Sequence, residues 1–289
     1  MKYAFIRDVL PGSCTVRMAC RMLAVSHSGY YRFLRAPISP RKARRRTIEN
    51  AVIRVHAESR RIYGAPKIVR ELPTFGVAAH QNTVSRIMQA LGIRAKYAKK
   101  WRPTTTQSSH AHTPSPDRLC RDFTASGPNE KWLCDITYIP TDEGFLYLAG
   151  VMDARSRSIV GWSMSNSLHA HVTLNALKMA VKRRNPPRGL VHHSDRGVQY
   201  ACCECRALLA THGMEQCMSR AGDCYDNAMM ESQWSILKKE LIHDSHFQTR
   251  EEARGALLDW IEVWYQRKRI HGSIGYVSPE AFEAAARVG

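Results

Sequence analysis

Three acidic residues stand where one kind of chemistry needs them. Asp135 lies in KWLCDITYIP, Asp195 in LVHHSDRGVQY and Glu231 in AGDCYDNAMMESQWSILKKEL. The first two sit in, or at the end of, short apolar runs that read as strands. The third reads as helical. Thirty-five residues separate Asp195 from Glu231. Carboxylates gathered from separate elements can hold two divalent metals for phosphoryl transfer. Magnesium prefers carboxylate oxygens and keeps several waters, so three carboxylates suffice. A lone Asp amid WLCDITYI is costly to bury, and a metal accounts for it. Two Mg2+ ions are therefore expected, with Mn2+ as a substitute.

Other acids compete. Asp153 in GVMDARSR reads as a turn residue ending its strand, Asp223 as a loop residue and Asp226 as a helix cap. Asp195 could itself cap a helix beginning near Gln199. His192 and His193 flank Asp195, where hydrogen-bonded histidines are the commoner outcome. Cys202 and Cys205 form one CxxC without a second at zinc-binding spacing, so no zinc site is expected. Nine cysteines at irregular spacing suit reduced thiols.

The charge distribution names the phosphate. The chain of 289 residues carries a formal net charge of +18. Residues 1–130 hold 24 Lys and Arg against 7 Asp and Glu, whereas residues 131–289 hold 19 against 18. A basic front and a nearly neutral back give the footprint of a nucleic-acid binder, with DNA as the expected partner. The alternative is a merely basic soluble surface. No apolar run of about eighteen residues is present, so no membrane span is expected. The start, MKYAFIRDVLPGSC, lacks a signal pattern, so a cytoplasmic protein is expected.

The elements that must position these residues follow from pattern. Residues 14–34 read as two short helices broken at Val25-Ser26, with Ser26 a cap. RKARRR (41–46) places Arg44 and Arg45 for phosphate contact, or for a solvated helix face. Residues 63–95 read as a helix-turn-helix, with Pro73 stopping the first helix, Gly76 in the turn and Asn82 capping the second. There Val84, Ile87, Met88 and Leu91 fall on one apolar face. Ser85, Arg86 and Gln89 are left outward, as a helix entering the major groove would need. Ser, Thr, Pro and His dominate 99–128, a linker.

Beyond it, WLCDITYIPT, FLYLAGVMDA and SIVGWSMSNS read as an antiparallel meander. A helix, the strand GLVHHS, the helix YACCECRALLATHG and the short strand MEQCMS follow. Two long helices, about 227–243 and 249–269, close the domain. This is an α/β pattern, a mixed five-stranded sheet with flanking helices. Met230, Trp234, Leu237 and Leu241 form a buried stripe with Glu231 beside it. Lys238, on the same face two turns later, stands about 10 Å along the axis and could meet a DNA phosphate.

RIYGAPKIVREL, KWLCDITYI, FLYLAGVMDARSRSIVGWSMS, HHSDRGVQY, SRAGDCYDNAMMESQWSILKKEL and RKRIHGSIGYVSPEAF together cover nearly the whole chain. In this combination the chain resembles OrfB-type transposases of the IS-three group of bacterial insertion sequences, whose catalytic core is retroviral-integrase-like. The resemblance implies a ribonuclease-H-like core over 129–245, behind an all-helical helix-turn-helix region over 1–98 and a linker over 99–128, with a C-terminal helical extension over 246–289. It implies that Asp135, Asp195 and Glu231 bind magnesium and that Lys238 contacts the element end. It implies cleavage and strand transfer of insertion-sequence ends by a homo-multimer on DNA, with an upstream OrfA segment as fusion or partner. Gln266 stands where the family more often has Asn, which places the local tail contact in question. The competing functions are a DNA-binding regulator and a nuclease of the same fold that cuts without joining.

Overall fold

The computed structural model describes residues 2–9, 14–35, 38–96, 115–117, 119, 121–220 and 224–288. Residues 99–114 of the predicted linker and Asp223 lie outside them. The chain divides into two compact units, Met1–Ala95 and Lys96–Gly289. Among the described residues no helix is long and apolar enough to cross a membrane.

The first unit is all helix: α1 (Lys2–Val9), α2 (Val16–Met22), α3 (His27–Arg35), α4 (Pro40–Glu58), α5 (Ala65–Glu71) and α6 (Gln81–Ala90). Ile6, Ala19, Cys20 and Tyr30 make a small core among α1–α3. Ser26 caps α3 as expected, its Oγ accepting from the Gly29 N–H at 3.2 Å. Along α4, Ile48, Ala51, Val52 and Val55 are buried, at the helical spacing that marks one face. α5, the turn after it and α6 pack against α4, and they bury Ile68, Leu72, Val84, Ile87 and Met88. Pro73 ends α5 by converting the chain to a 3-10 turn over Leu72–Phe75, because proline has no N–H for the α ladder.

Two sequence expectations fail here. Asn82 does not cap α6. The helix starts at Gln81, two residues before the start that an Asn82 cap would set, and His80 Nδ1 accepts from the Asn82 N–H at 3.3 Å. Leu91 is 43% exposed, because the helix ends before it and Leu91 becomes the C-cap.

In the second unit β1 (Lys131–Ile139), β2 (Leu146–Asp153) and β3 (Ile159–Ser165) form the expected antiparallel meander. α7 (His171–Arg184) then crosses to β4 (Val191–Ser194), which runs parallel to β1. α8 (Val198–Ala201) and α9 (Cys203–Thr211) lead to β5 (Glu215–Met218), parallel to β4. The sheet order is β3-β2-β1-β4-β5. The run predicted as one helix from Tyr200 is broken at Cys202, which has extended backbone, φ −68° and ψ 156°.

One sheet face carries Cys134, Ala149, Val151 and Val160, packed against Val172, Ala176 and Leu177 of α7 and Cys205 and Leu209 of α9. Gly161 lets α7 lie directly on β3: a Cβ there would stand 2.2 Å from the Ala176 carbonyl oxygen. Cys205 belongs to this core, and Cys202 packs against it.

α10 (Ala228–Glu240) and α11 (Arg250–Leu258) follow, the latter running on as a π-helix over Asp259–Tyr265, and α12 (Pro279–Val288) closes the chain. The predicted long helices are thus shorter, because α10 breaks into a 3-10 turn over Ile242–Asp244. Leu241 is only half-buried for the same reason. The π segment buries Trp260, Ile261, Trp264 and Tyr265. It is fastened to α10 through Glu240, which accepts from Trp264 Nε1 at 3.0 Å and from Arg269 Nε at 2.8 Å. Gln266 bonds to the start of β3. Its amide accepts from the Ile159 N–H at 3.1 Å and donates to the Ile159 carbonyl at 2.8 Å, holding the start of β3.

Candidate active site

Strand alternation turns Cys134 and Ile136 toward the α7 and α9 core, so Asp135 faces the other way. Across the β1–β2 ladder its partner is Gly150, which has no side chain to fill the space above it. β4 pairs with β1 in parallel, Leu133 opposite His193. The same register carried two residues further sets Asp195 beside Asp135, just where β4 gives way to loop. Asp195 Oδ1 accepts from the Gly197 N–H at 3.0 Å, so the carboxylate shapes the turn ahead of α8.

Glu231 comes from the first turn of α10, where the positive helix end favours an acid. The position of that turn is fixed by contacts to both strands. Asn227 Nδ2 donates to the Cys134 carbonyl at 3.3 Å. His193 Nε2 meets the Asp226 carbonyl at 2.8 Å; a carbonyl can only accept, so Nε2 carries the proton. Asp226 does not cap α10. Its buried carboxylate is clamped by Arg220, through the backbone N–H at 2.9 Å, Nε at 3.0 Å and a terminal guanidinium nitrogen at 2.9 Å, and by Arg121 Nε at 3.2 Å. These guanidiniums hold it far below the usual carboxylate range. Asp153 accepts from Asn129, Arg155 and Ser156 and is a turn residue, as its sequence implied.

The electrostatics of the three acids run the other way. Burial first, then the charge of Asp195, and less strongly that of Glu231, push Asp135 well above its ordinary range; the Ile136 N–H and the Trp234 indole pull it back. Glu231, at the exposed rim, is raised by partial burial. Lys238 is half-buried, its Nζ 5.1 Å from the centre of the Tyr138 ring. Burial lowers its pKa, while the Asp135 carboxylate supports its charge. So Asp195, Glu231 and Lys238 each act electrostatically on, or are acted on by, Asp135 across three elements. Mutually repelling hard oxygen donors suit a divalent cation, which would relieve the repulsion that raises Asp135.

The remaining predicted contacts lie in the first unit. Ser85, Arg86 and Gln89 are exposed on α6. Arg44 and Arg45 are exposed on α4, with Arg45 Nε 2.8 Å from Glu49 one turn later. His192 is buried beside Cys134 Sγ at 3.1 Å, and burial lowers its pKa to about 4, so it is a neutral core residue. Sequence reasoning missed Asn227, His193, Trp234 and Gly150 as supports of the site. Asn227, His193 and Trp234 lie within four residues of one of the three acids, whereas Gly150 carries no local signal.

Residues 125–224 match the family model described as Integrase core domain, 212–279 match a second model of that description, and 43–101 match an HTH-like domain. The chain is 41% identical to "Transposase InsF for insertion sequence IS3A" of Escherichia coli (strain K12) over 285 residues, 98% of each protein. The chain belongs to the IS3 family of transposases. Another relative, "Insertion element IS600 uncharacterized 31 kDa protein" of Shigella sonnei, is 37% identical over 263 residues, 91% of this transposase and 96% of that protein. Among solved structures, a chain of a simian T-cell lymphotropic virus intasome is similar over 82% of the transposase and 76% of its own length, with TM-score 0.48 and 15% identity. The HTLV-2 integrase catalytic core domain in complex with magnesium is similar over 55% and 99%, with TM-score 0.41 and 14% identity. The transposase is thus an enzyme of DNA transposition that cleaves and transfers strands, built on a ribonuclease-H-like core with a helix-turn-helix region before it.

Proposed function

We propose that Asp135, Asp195 and Glu231 are the metal-binding catalytic residues of this transposase, acting with two Mg2+ ions that Mn2+ can replace. The observation that carries this is the convergence of three carboxylates from β1, the end of β4 and α10, with Asp135 raised first by burial and then by the charges of the other two. Bound there, divalent metal would activate a water or a 3′-hydroxyl and neutralise charge on the leaving oxygen. The residues do the positioning. Asp135 and Asp195, fixed by the sheet, would share the metals, and Glu231 would complete the second from a helix tied to both strands. Lys238 brings a cation to the edge of the cluster, where it would meet a phosphate of the element end and so align the scissile bond.

DNA is gripped elsewhere in the same reading. Ser85, Arg86 and Gln89 on α6 would read the major groove, and Arg44 and Arg45 would contact phosphates. The first turn of α4 has no acidic residue and RKARRR occupies its first two turns, although cations at a helix N-terminus are unfavourable; phosphates would offset that repulsion. By this reading residues 1–98 hold DNA, 99–128 link, 129–245 do the chemistry and 246–289 brace the core. The transposase would act as a homo-multimer on paired ends, with an upstream OrfA segment as partner or fusion. It would work in the cytoplasm, where its described free thiols stay reduced.

A joining assay tests the reading. Labelled duplex carrying the ends of the insertion sequence is incubated with the transposase, with and without the upstream segment, in Mg2+ or in chelator. Joined product in Mg2+ alone is expected. Cut but never joined DNA would support a nuclease instead.

A further inference from the structure

We infer that Trp234 is a positioning residue of the active site, whose indole N–H aims the Asp135 carboxylate. The inference rests on the reading of Asp135 as a metal ligand. Trp234 lies three residues after Glu231 on α10, hence on the adjoining helix face. It is 5% exposed, and its Nε1 is buried without an acceptor at full hydrogen-bonding geometry. A buried donor left in that state calls for an explanation.

Gly150 supplies the location. It pairs directly with Asp135 across the ladder. A Cβ built on Gly150 would lie 2.6 Å from Trp234 Cη2 and 2.9 Å from Cζ2. The indole therefore rests edge-on over bare backbone, one residue position from Asp135. Cζ2 is bonded to the ring carbon that carries Nε1, so the N–H edge lies beside that carboxylate. The Asp135 carboxyl already feels this donor, which favours its charged form against the effect of burial.

The chemistry suits the place. An indole N–H donates and never accepts, and it carries no charge. It can hold one lone pair of a carboxylate while leaving the others for a metal, without competing for the site as an ammonium would. Outer donors of this kind fix the direction of a ligating oxygen, and their loss costs about 10–100-fold in metal affinity or activity. Gly150 then has a reason beyond packing, because any side chain there would push the indole off its acceptor.

The test uses the full chain with 15N-labelled tryptophan. Six indole correlations are expected from its six tryptophans, and the one lost in Trp234→Phe is that of Trp234. Adding Mg2+ should move this proton downfield in the wild-type chain. Trp234 is then replaced by 3-benzothienylalanine, which keeps the ring shape and substitutes sulfur for N–H. That chain should melt with the wild type yet bind Mg2+ and Mn2+ about tenfold more weakly by calorimetry. Wild-type metal affinity in that variant, or a Trp234 indole proton indifferent to Mg2+, would overturn the inference. Asp135→Asn separates the two ideas: if it still binds metal and joins DNA, the ligand reading fails. If it loses both while the isostere keeps wild-type affinity, only the role of Trp234 fails.

Discussion

Replacing Gly150 by alanine places a methyl group 2.6 Å from Trp234 Cη2 and 2.9 Å from Cζ2. Carbon atoms prefer about 3.5–4.0 Å, so the indole or the strand must shift by close to 1 Å. Trp234 is locked among buried α10 residues and cannot swing away as a flexible chain end would. Overpacking of this kind costs about 1–3 kcal/mol. Alanine also returns about 0.5–1 kcal/mol, because glycine in a strand loses more conformational entropy on folding. The net expectation is a loss of about 1–2 kcal/mol, a fall in Tm of about 2–8 °C for a unit of this size. Scanning calorimetry on the full chain measures it, beside strand transfer and DNA binding. Strand transfer should fall by more than the unfolded fraction explains, since Trp234 and Asp135 move together, while DNA binding holds. A cycle with Trp234→Phe gives the sharper check. Phenylalanine has no atom at Cη2 or Cζ2, so the double variant should lose less stability than the two singles together. Wild-type Tm in Gly150→Ala, or strictly additive losses, would refute the packing argument.

Arg269 and Glu240 form an ion pair with side chains only 8% and 6% exposed, so Arg269→Met strands a buried carboxylate and should cost about 3–5 kcal/mol by urea titration. Asp135 has a folded pKa raised above its unfolded value, so whatever stability the protonated carboxyl contributes is present below the unfolded value and lost as pH rises through the folded one. In chelator, Asp135→Asn should therefore melt higher than wild type at pH 8, by about 1 kcal/mol, with the advantage vanishing near pH 4; equal Tm values at pH 8 would count against the crowding of charge. Arg86→Ala should weaken binding to the element end by about 1–3 kcal/mol and leave bulk DNA binding intact. Arg44→Ala should weaken all DNA alike and flatten the salt dependence.

How much of this was legible depends on which interactions are local. The runs of β1 to β5 announce themselves because alternation and flanking turns are short-range patterns, and the meander follows from short connections. The three acids stand out because a carboxylate in an apolar strand has few harmless uses. Their convergence is not local: it needs the parallel β1–β4 pairing and the Asn227 contact to the Cys134 carbonyl, which no spacing reveals. The break at Cys202 was hidden because CCECRALLATHG is helix-compatible throughout. Asp226 was misread as a cap because its carboxylate turns back to Arg220 rather than to the helix N–H groups, with Arg121, 105 residues away, adding a further bond. Asn82 lost its capping role to His80, a residue whose acceptor nitrogen depends on tautomer. Gly150 and Trp234 carry their meaning only as a pair across the sheet.

The claim that Asp135, Asp195 and Glu231 carry the chemistry is met most directly by Glu231→Gln. The side chain keeps its size and lies at the exposed rim, so folding and DNA binding should match the wild type. Strand transfer of labelled element-end DNA in Mg2+ is then measured for both proteins at equal bound DNA. The expected result is loss of joined product to background with binding unchanged. Full strand transfer by Glu231→Gln in Mg2+ would contradict the assignment.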